Sequence, residues 1–463
     1  REAALGEAHR LADAGLRVLA VAEKALPEAT RAIDDEMLRD GFVPLGLEAM
    51  IDPPRPEAIS AVAACRSAGI AVKMITGDHP GTARAVGRTL GLVAPGDGVL
   101  AGAEIAARSD EELAAALRTT SVFARVAPEH KLRLVRILQE MGHVVAVTGD
   151  GVNDAPALKQ ADIGVAMGIT GTAVSKEAAD MVLADDNFAS VAAAVEEGRR
   201  VYDNLVKSLA FVLPTNLGEA LVVLLAVAAF PIVGGTLLQP MLPVQILWIN
   251  LVATVALALP LAFEAMEPGV MRRPPRDPRA SILGRFVLFR TVAVAVLMAG
   301  SSIALFLYEH RRGLEAGLAA PEALAAAQTI AVTTVVLFQV FYVLQCRALR
   351  DSVLHVGLWS NPWVYAGIAA TLALQAGFVY LPFMHHLFGT APLPPEAWVR
   401  AAATALVALS VVAGEKAWRR RRAASLPNGP SAGADREAAS VSLPLHRQQT
   451  RTRSARETHR AAH

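Results

Sequence analysis

The chain has 463 residues and a formal net charge of +1, and 53% of its residues are hydrophobic. Its mean hydropathy of +0.39 is too high for an ordinary soluble enzyme and predicts membrane-spanning segments. The two cysteines, Cys65 and Cys346, lie far apart and outside any CxxC spacing, which excludes a disulfide framework and a thiolate metal site.

The first residues alternate between helical and strand-like patterns. Residues 2–25 predict an amphipathic helix followed by a short strand, LRVLAVA, and a second strand-like run, FVPLGLEAMI, leads into DPPR at 52–55. Proline fixes φ, so these four residues predict a stiff junction. Arg1 already lies within a helical pattern, with no Met or signal peptide before it, and we therefore expect further sequence to precede it.

A strand–helix alternation continues after the junction. The helix PEAISAVAACRSAG is predicted to end at Gly69, a natural C-cap, and the strand IAVKMI runs into Thr76, Gly77 and Asp78 before another helix. Alternation of this kind predicts an α/β domain, a parallel sheet with flanking helices.

The most informative stretch is VVAVTGDGVNDAPAL, residues 144–158. Its apolar beginning predicts a buried strand ending at Thr148, and a glycine-rich turn with Asp150, Asn153 and Asp154 follows. The end of such a strand is where an α/β sheet places its ligand crevice. Carboxylate and amide oxygens suit Mg²⁺, which keeps part of its water shell while it holds phosphate. The alternative is an Asx-rich surface turn, since these are ordinary turn residues.

Two further side chains complete a possible phosphoryl-transfer site. Thr76, at a strand end, can donate its hydroxyl to a phosphoryl oxygen, and Lys131 lies near the start of a helix whose N-terminus also favours an anion. With Asp150 and Asp154 as metal ligands, the hydroxyl and the amine would stabilise the transferring oxygens. Taken alone, Lys131 is also typical of a solvated helix lysine.

Apolar segments dominate the second half of the chain. Basic residues are concentrated after the second, fourth and sixth segments, so the positive-inside rule predicts that these loops are cytoplasmic. Residues 189–206 are expected to run straight into the first segment, and residues 423–463 predict a disordered tail. The six segments, each about long enough to cross the ~30 Å hydrocarbon core, are approximately 207–230, 241–263, 286–308, 326–346, 361–384 and 396–417.

Polar residues within these segments are costly and so are candidates for function. Asn216 and Glu219 lie three positions apart, which predicts one helical face, and Pro214 would free a backbone carbonyl. Asn250 lies in the second segment. The alternative role is a hydrogen bond between packed helices, worth roughly 1 kcal/mol in membranes.

Several of these motifs resemble those of one family. TGDGVNDAPAL resembles the hinge motif of P-type ATPases, ion pumps built on a haloacid-dehalogenase-like phosphorylation domain. DPPR resembles their interdomain link, PTNLGE resembles the ion-binding stretch of their fifth transmembrane helix, and Asn250 matches an ion-ligating asparagine of the sixth. Six segments after the phosphorylation domain are typical of the calcium-pump-like branch.

The resemblance implies roles for individual residues. It implies Mg²⁺ and ATP as cofactors, and a lipid bilayer and a transported cation as partners. No aromatic or fold signal in the sequence supports a nucleic-acid partner. The family's DKTG nucleophile occurs nowhere in this sequence, so we expect it in a missing N-terminal half, and this chain alone to be inactive. The implied catalytic residues are Thr76, Gly77, Asp78, Lys131, Asp150, Asn153 and Asp154, with Asp150 and Asp154 holding Mg²⁺, Arg17 near the nucleotide, and Asn216, Glu219, Asn250, Thr254 and Gln339 at the ion.

The resemblance also implies a domain organisation. It predicts an α/β haloacid-dehalogenase-like phosphorylation domain followed by an all-α six-helix transmembrane bundle, in the plasma membrane, with the catalytic domain and the tail cytoplasmic. The expected ranges are 1–28 for a remnant of the nucleotide-binding domain, 29–204 for the phosphorylation domain, 205–418 for the transmembrane domain and 419–463 for the basic tail.

The sequence departs from the calcium-pump pattern at the expected ion site. Thr254 stands where that pattern has an aspartate, Ala253 where it has a threonine, and Gln339 where calcium pumps carry a glutamate. The low carboxylate count favours a single monovalent or divalent ion, or ion/proton exchange, over two Ca²⁺ ions. Two alternatives remain open: a membrane-anchored haloacid-dehalogenase-like phosphatase, and a non-catalytic truncated or split-pump subunit.

Overall fold

The computed structural model describes residues 2–26, 33–35, 37–50, 53–94, 96–233, 236–348 and 357–424. The chain divides into two compact units. The first comprises Arg1–Val201 and Pro268–Ala280, and the second comprises Tyr202–Glu267 and Ser281–His463. Asp52 of the predicted junction and residues 425–463 of the predicted tail lie outside the described residues.

The first unit begins with helix α1 (Glu2–Asp13) and an antiparallel pair of strands, β1 (Arg17–Glu23) and β2 (Val43–Met50). The two strands occur where the apolar runs predict them, and most of their positions are exposed. The pair runs across the domain boundary predicted at residues 28/29. Hydrogen bonding therefore joins two strands that the predicted boundary separates.

A first parallel sheet follows, built from α2 (Pro56–Ser67), β3 (Met74–Ile75), α3 (Pro80–Thr89), β4 (Leu100–Ala101), α4 (Gly102–Ala107), α5 (Asp110–Thr119), β5 (Val122–Ala124) and α6 (Pro128–Glu140). The strand order is β3-β5-β4. Gly69, with φ of +72°, takes the left-handed conformation that the predicted end of α2 requires. The predicted strand IAVKMI is shorter than expected, because only its last two residues pair with β5.

A second parallel sheet has the order β6-β7-β8. The two sheets confirm the predicted α/β class with flanking helices. The elements are β6 (Ala146–Gly149), a 3-10 turn (Val152–Asp154), α7 (Ala155–Gln160), β7 (Ile163–Met167), α8 (Ala173–Ala178) and β8 (Met181–Leu183).

Helix α6 packs against both sheets. Ile75 and Phe123 of the first sheet share a core with Leu134 of this helix. On the other side Val145, which precedes β6, packs against Val135. A single amphipathic helix therefore connects the apolar cores of the two sheets.

The strands β3 and β6 each lie at the edge of a sheet. Neither has a second strand partner within the described residues, and Ala146 and Thr148 of β6 are exposed. The prediction of a buried strand ending at Thr148 was therefore right about the strand and wrong about its burial. An apolar run does not distinguish an edge strand from a central one.

The loop between β8 and the next helix is fixed by carboxylates. Asp186 accepts hydrogen bonds from the backbone N–H groups of Ile169 and Thr170 at 2.9 and 2.7 Å, while Asp185 accepts from the hydroxyl of Ser190. Asn187 accepts from the N–H of Ala189 and so caps the following helix. Asp186 does not cap that helix and instead holds the loop at 168–170.

The second unit is helical. The long helix α9 (Phe188–Ala229) begins in the first unit and continues into the second without a break, as predicted for residues 189–206. The other elements are β9 (Ile232–Val233), β10 (Thr236–Leu237), α10 (Pro243–Trp248), a π-helix (Ile249–Thr254), α11 (Val255–Ala258), two 3-10 turns (Leu259–Phe263 and Val270–Arg272), α12 (Arg285–Glu315), α13 (Ala320–Cys346), α14 (Pro362–Tyr380), α15 (Pro382–Phe388) and α16 (Pro395–Ala424).

Within the described residues, five helical segments are long and apolar enough to span a membrane: α9, the segment Pro243–Phe263, and helices α12, α13 and α14. They coincide with the first five predicted spans. The sixth predicted span lies on α16, which is helical but is not among the five. The span Pro243–Phe263 is not a regular α-helix, because a π-helix and a 3-10 turn interrupt it.

Helix α13 forms the centre of this unit. Nearly all of its residues from Ala327 to Val340 are buried, and Phe211 of α9, Ile249 of the second span and Met298 of α12 pack in the same core as Phe338. A helix that is apolar all round belongs in such a core. Its polar members, Gln339 among them, are consequently enclosed.

Candidate functional site

The first candidate site lies at the carboxyl ends of β3 and β6. Thr76 follows β3 directly, and its backbone N–H donates to the carbonyl of Phe123 at 2.9 Å. Its hydroxyl donates to the Asp78 carboxylate at 2.9 Å and accepts the N–H of Asp78 at 3.1 Å. The short Thr76–Asp78 turn is therefore held both by the sheet and by its own side chains.

Lys131 and Asp154 form an ion pair. Lys131 lies in the first turn of α6, and its Nζ is 2.6 Å from Oδ1 of Asp154, with side chains 23% and 13% exposed. The second oxygen of Asp154 accepts the N–H of Gly151 at 3.1 Å. A Cβ at Gly149 would lie 2.5 Å from the Cβ of Asp154, so only glycine leaves room for this carboxylate.

Asp150 has a different environment. Its backbone carbonyl accepts from the N–H of Thr172 at 2.9 Å and from the hydroxyl of Ser175 at 3.0 Å. Its side chain is exposed, as is that of Asn153. The main chain of Asp150 is thus fixed while its carboxylate remains open to solvent.

The structure joins some of the predicted catalytic residues and leaves others apart. Thr76 is bonded to Asp78, and Lys131 to Asp154, but no hydrogen bond within the described residues connects the two pairs. Gly77 lies between the members of the first pair. Arg17, predicted near the nucleotide, is exposed at the first position of β1.

The donor set can be tested for Mg²⁺. Among the described residues no group of three or more His, Cys, Asp or Glu side chains could hold a metal ion. The exposed carboxylate of Asp150, with the partly buried carboxylate of Asp154 as a second ligand, nevertheless fits Mg²⁺. This ion usually keeps several waters and binds through one or two carboxylates plus substrate phosphates. The residues therefore fit a magnesium ion shared with a substrate, and they do not form a closed metal cage.

A second candidate site lies in the helical unit around Glu219 of α9. The Glu219 side chain is 2% exposed. Its two oxygens accept hydrogen bonds at 3.0 Å, one from Nδ2 of Asn250 and the other from Nε2 of Gln339. Three separate helical segments thus converge on one buried carboxylate.

The π-helix supplies part of this second site. Asn250 and Thr254 both lie on it, and Oγ1 of Thr254 is 3.4 Å from Oδ1 of Asn250. Single-turn π segments occur frequently at functional sites because they change the direction of side chains and loosen the backbone hydrogen bonds. Oε1 of Gln339 is buried and has no partner within the described part of the chain, which leaves one carbonyl oxygen available beside Glu219.

Asn216 does not join this cluster. It is exposed, although Glu219 one turn later is buried. Three residues advance a helix by about 300°, and the buried stripe of α9 runs through Thr215, Gly218 and Val222. Asn216 and Glu219 are thus about 60° apart around α9, and only Glu219 falls within the buried stripe. The role of Asn216 as an ion ligand stays a prediction.

One buried contact was missed by the sequence analysis. Pro214 has no N–H to donate to the carbonyl of Ala210, four residues earlier. The hydroxyl of Tyr342 on α13 donates to that carbonyl at 2.9 Å. The sequence shows the proline but not the side chain that compensates for it, since nothing in a sequence places Tyr342 beside Ala210.

Comparisons with known proteins agree with this architecture. Residues 238–418 match the family described as cation transporting ATPase, C-terminus, and residues 2–162 and 132–195 match two families of haloacid dehalogenase-like hydrolases. The chain is 49% identical over 427 residues to a probable cation-transporting ATPase F of Mycobacterium bovis, an alignment that covers 91% of this chain and 46% of that protein.

Two further relatives have similar names. The chain is 46% identical over 395 residues to the cation-transporting ATPase pma1 of Synechocystis (84% of this chain, 42% of that protein). It is 39% identical over 412 residues to a calcium-transporting ATPase of Bacillus subtilis (89% and 44%). The chain spans about half the length of the curated relatives that it matches. Together with the apolar helices, these matches show that the chain belongs to the P-type cation-transporting ATPase family.

Proposed function

We propose that this chain is part of a pump that couples ATP hydrolysis to cation transport across a membrane through an aspartyl-phosphate intermediate. The observation that carries the proposal is the buried Glu219 carboxylate, bonded to Asn250 and Gln339 among apolar helices. Ionisable groups at such depth are rare and are usually functional. A phosphatase that only uses the helices as an anchor would have no need of this cluster.

We assign the chemistry to the first unit. The Thr76 hydroxyl and the Lys131 ammonium would stabilise the oxygens of the transferring phosphoryl group. Asp150 and Asp154 would hold Mg²⁺, which neutralises phosphate charge when bound. Gly77 and Asp78 would keep Thr76 in place, and Asn153 would support the metal-binding turn.

The nucleophile would come from a strand that this sequence does not include. The open edges of β3 and β6, both in the first unit and both packed on α6, support this proposal. A parallel strand paired with both edges would end beside Thr76 and Asp150, because the carboxyl ends of parallel strands meet at one edge of a sheet. Its aspartate would then accept the phosphoryl group. Arg17 would contact the nucleotide that delivers this group.

The transported ion would be bound at Glu219. Asn250, Thr254 and Gln339 would supply neutral oxygens, and the free Oε1 of Gln339 is the first of them. One carboxylate among neutral donors favours one monovalent or divalent ion, or exchange with protons, over two Ca²⁺ ions. Asn216 would serve the ion only if another segment of the protein packed against its exposed face.

The distribution of basic residues supports an orientation of the protein in the membrane. Basic loops after the second, fourth and sixth segments favour a cytoplasmic position for these loops and for the catalytic unit, in the plasma membrane. The C-terminal tail would also lie in the cytoplasm.

Because β1 and β2 form one ladder, we place the boundary between the nucleotide-binding and phosphorylation domains near residue 53 rather than at 28/29.

The test is cation-stimulated ATP hydrolysis by the full-length protein in membranes. Asp150→Ala should abolish phosphorylation, whereas Glu219→Gln should change the cation dependence and leave phosphorylation from inorganic phosphate possible. Asp40→Ala and Glu322→Gln, at exposed positions, are the matched controls and should behave as wild type. Normal cation-dependent turnover in both test variants would overturn the assignment.

A further inference from the structure

A second buried polar network lies in the helical unit, away from Glu219. Glu264, just after the second span, and Arg347, at the end of α13, form an ion pair in which neither side chain is exposed. Nη2 of Arg347 is 2.9 Å from Oε1 of Glu264, and its Nε is 3.2 Å from Oε2. Breaking such a pair leaves an uncompensated buried charge, so each partner depends on the other.

The remaining donors of Arg347 bind α14 and the segment before it. Nη1 donates to the carbonyl of Leu358 at 2.7 Å and to the hydroxyl of Tyr365 at 3.1 Å. Nη2 donates to the hydroxyl of Ser360 at 2.8 Å. All three guanidinium nitrogens therefore have partners, which is a use that the planar fork of arginine allows and that lysine does not.

Two amides extend the network to other segments. Nδ2 of Asn361 donates to the carbonyl of Pro260 at 2.8 Å and to Oε2 of Glu264 at 3.1 Å. Nδ2 of Asn204 on α9 donates to the carbonyl of Glu264 at 2.9 Å. Asn204 also accepts from Lys207 at 3.2 Å, and the buried Lys207 lies 3.4 Å from Glu267.

The segments joined by this network are those that form the ion cluster. Helix α9 carries Asn204 and Glu219, the second span leads from Asn250 to Glu264, and α13 carries Gln339 two turns before Arg347. At 1.5 Å per residue, Gln339 and Arg347 are about 12 Å apart along one continuous helix. In a close-packed core, a displacement at one end of a helix is transmitted along it.

We infer that the Glu264–Arg347 pair, with Asn204 and Asn361, positions the second span and α13 along α9, and so sets how Asn250 and Gln339 meet Glu219. These four are positioning residues, because none of them contacts Glu219. The inference rests on the proposed function of Glu219. It gives a fully buried ion pair a role beyond stability, since a purely structural pair has no reason to change cation affinity selectively.

The test uses the full-length protein in proteoliposomes, titrated separately with Ca²⁺, Na⁺ and K⁺, and follows ATPase activity with whichever of these stimulates the wild type most. Arg347→Met and Glu264→Gln should each raise the half-saturating cation concentration by about tenfold, the range expected for coupling through a packed network. The half-saturating ATP concentration should stay within about twofold. The double variant should shift less than the product of the single shifts, because the partners act as a unit.

The controls separate this inference from the proposed function. Arg311→Met and Glu315→Gln remove an exposed Arg–Glu pair on α12 and should change neither constant. If Arg347→Met does not accumulate in membranes, Asn204→Ala carries the same test, with a smaller shift in the same direction. Wild-type cation dependence in Asn204→Ala and in every recovered network variant, together with an altered dependence in Glu219→Gln, would overturn the positioning role alone. Wild-type dependence in Glu219→Gln, or no stimulation by any cation, would overturn the proposed ion site and this inference with it.

Discussion

At the residue scale, Lys131 and Asp154 illustrate how the proposed catalytic turn is assembled. The 2.6 Å ion pair neutralises a carboxylate that would otherwise lie beside Asp150 with no compensating charge. Gly149 makes room for that carboxylate. The chemistry assigned to Lys131 therefore depends on a backbone position five residues before Asp154.

Replacing Lys131 should slow phosphoryl transfer. Lys131→Met removes the ammonium while keeping most of the side-chain length, and we expect phosphoenzyme formation from ATP to fall about 10²–10³-fold, as when a preorganised donor is removed elsewhere. Rapid-quench measurement of phosphoenzyme gives the rate. Lys159→Met, at an exposed position of α7, is the matched control. Equal rates for Lys131→Met and wild type would remove Lys131 from the catalytic set.

The sequence was sufficient to single out most members of both clusters. Thr76, Lys131, Asp150 and Asp154 follow strands or begin a helix, and such positions can be read from local patterns. Their pairing could not be read, because it depends on how α6 lies across two sheets. For Asn216 the three-residue spacing places the side chain near that of Glu219 but does not say which of the two is buried, since the edge of a buried stripe can pass between side chains about 60° apart.

At the element scale, the proline of α9 is compensated by a different helix. Pro214 leaves the Ala210 carbonyl without its helical partner, and the Tyr342 hydroxyl of α13 replaces that partner. Such compensation is how membrane helices tolerate proline. The same hydrogen bond connects α9 to α13 on the N-terminal side of the turn that carries Glu219.

Removing the tyrosine hydroxyl should destabilise the helical unit, and removing the proline should restore stability. Tyr342→Phe leaves the buried Ala210 carbonyl with only the weak thiol donor of Cys346, at 3.9 Å, and the expected loss is about 1–3 kcal/mol. Adding Pro214→Ala supplies an N–H for the same carbonyl, so the double variant should melt above Tyr342→Phe. Thermal unfolding in detergent measures both. Tyr308→Phe, at an exposed position, is the control, and a double variant that melts lower than Tyr342→Phe would contradict the compensation.

The loop held by Asp186 should show a defined pH dependence. Partial desolvation raises the pKa of Asp186, but hydrogen bonds from the N–H groups of Ile169 and Thr170 and from the Thr170 hydroxyl outweigh it and lower this pKa from 3.8 to about 2. Because the folded pKa lies below the unfolded one, the contribution to stability is present above about pH 4 and is lost as the pH falls through about 2.

Asp186→Asn tests this dependence while keeping the backbone. Asp186 has φ of +49°, a conformation that asparagine also tolerates. The variant should melt a few degrees below wild type at pH 7, and the difference should shrink as the pH falls below 4. Asp40→Asn, at an exposed position, should show no difference. A gap between Asp186→Asn and wild type that stays constant down to pH 2.5 would exclude the carboxylate as its source.

The positions of the helices and strands were predicted better than their burial and their local geometry. The strands, the helix end at Gly69 and the first five spans lie at or near the expected positions, because periodicity and capping are local. The exposure of β6 and the π-helix at Ile249–Thr254 were not predicted. Both depend on neighbouring elements, which a single apolar run does not specify.

At the scale of the whole molecule, the chain combines an α/β unit, with the proposed phosphoryl-transfer residues at its strand ends, and a helical unit, with a buried carboxylate cluster around Glu219. The strand–helix alternation and the motifs predicted the first part, and the hydropathy predicted the second. The ion was not predictable, because the same donors around Glu219 suit more than one cation. The pairing of β1 with β2 across residues 28/29 shows that a boundary drawn from motif positions alone can divide a hydrogen-bonded ladder.

The proposal that the protein is an ATP-driven cation pump is tested most directly by measuring ATP-driven cation uptake into sealed vesicles that contain the full-length protein. Ca²⁺, Na⁺ and K⁺ are followed separately, with the internal pH recorded at the same time. We expect wild-type vesicles to accumulate one of these cations against its gradient on addition of ATP. Asp150→Ala should abolish this uptake, and Glu219→Gln should reduce it or change its cation dependence. Absence of cation or proton movement in the wild type, or undiminished uptake in both variants, would contradict the proposed pump function.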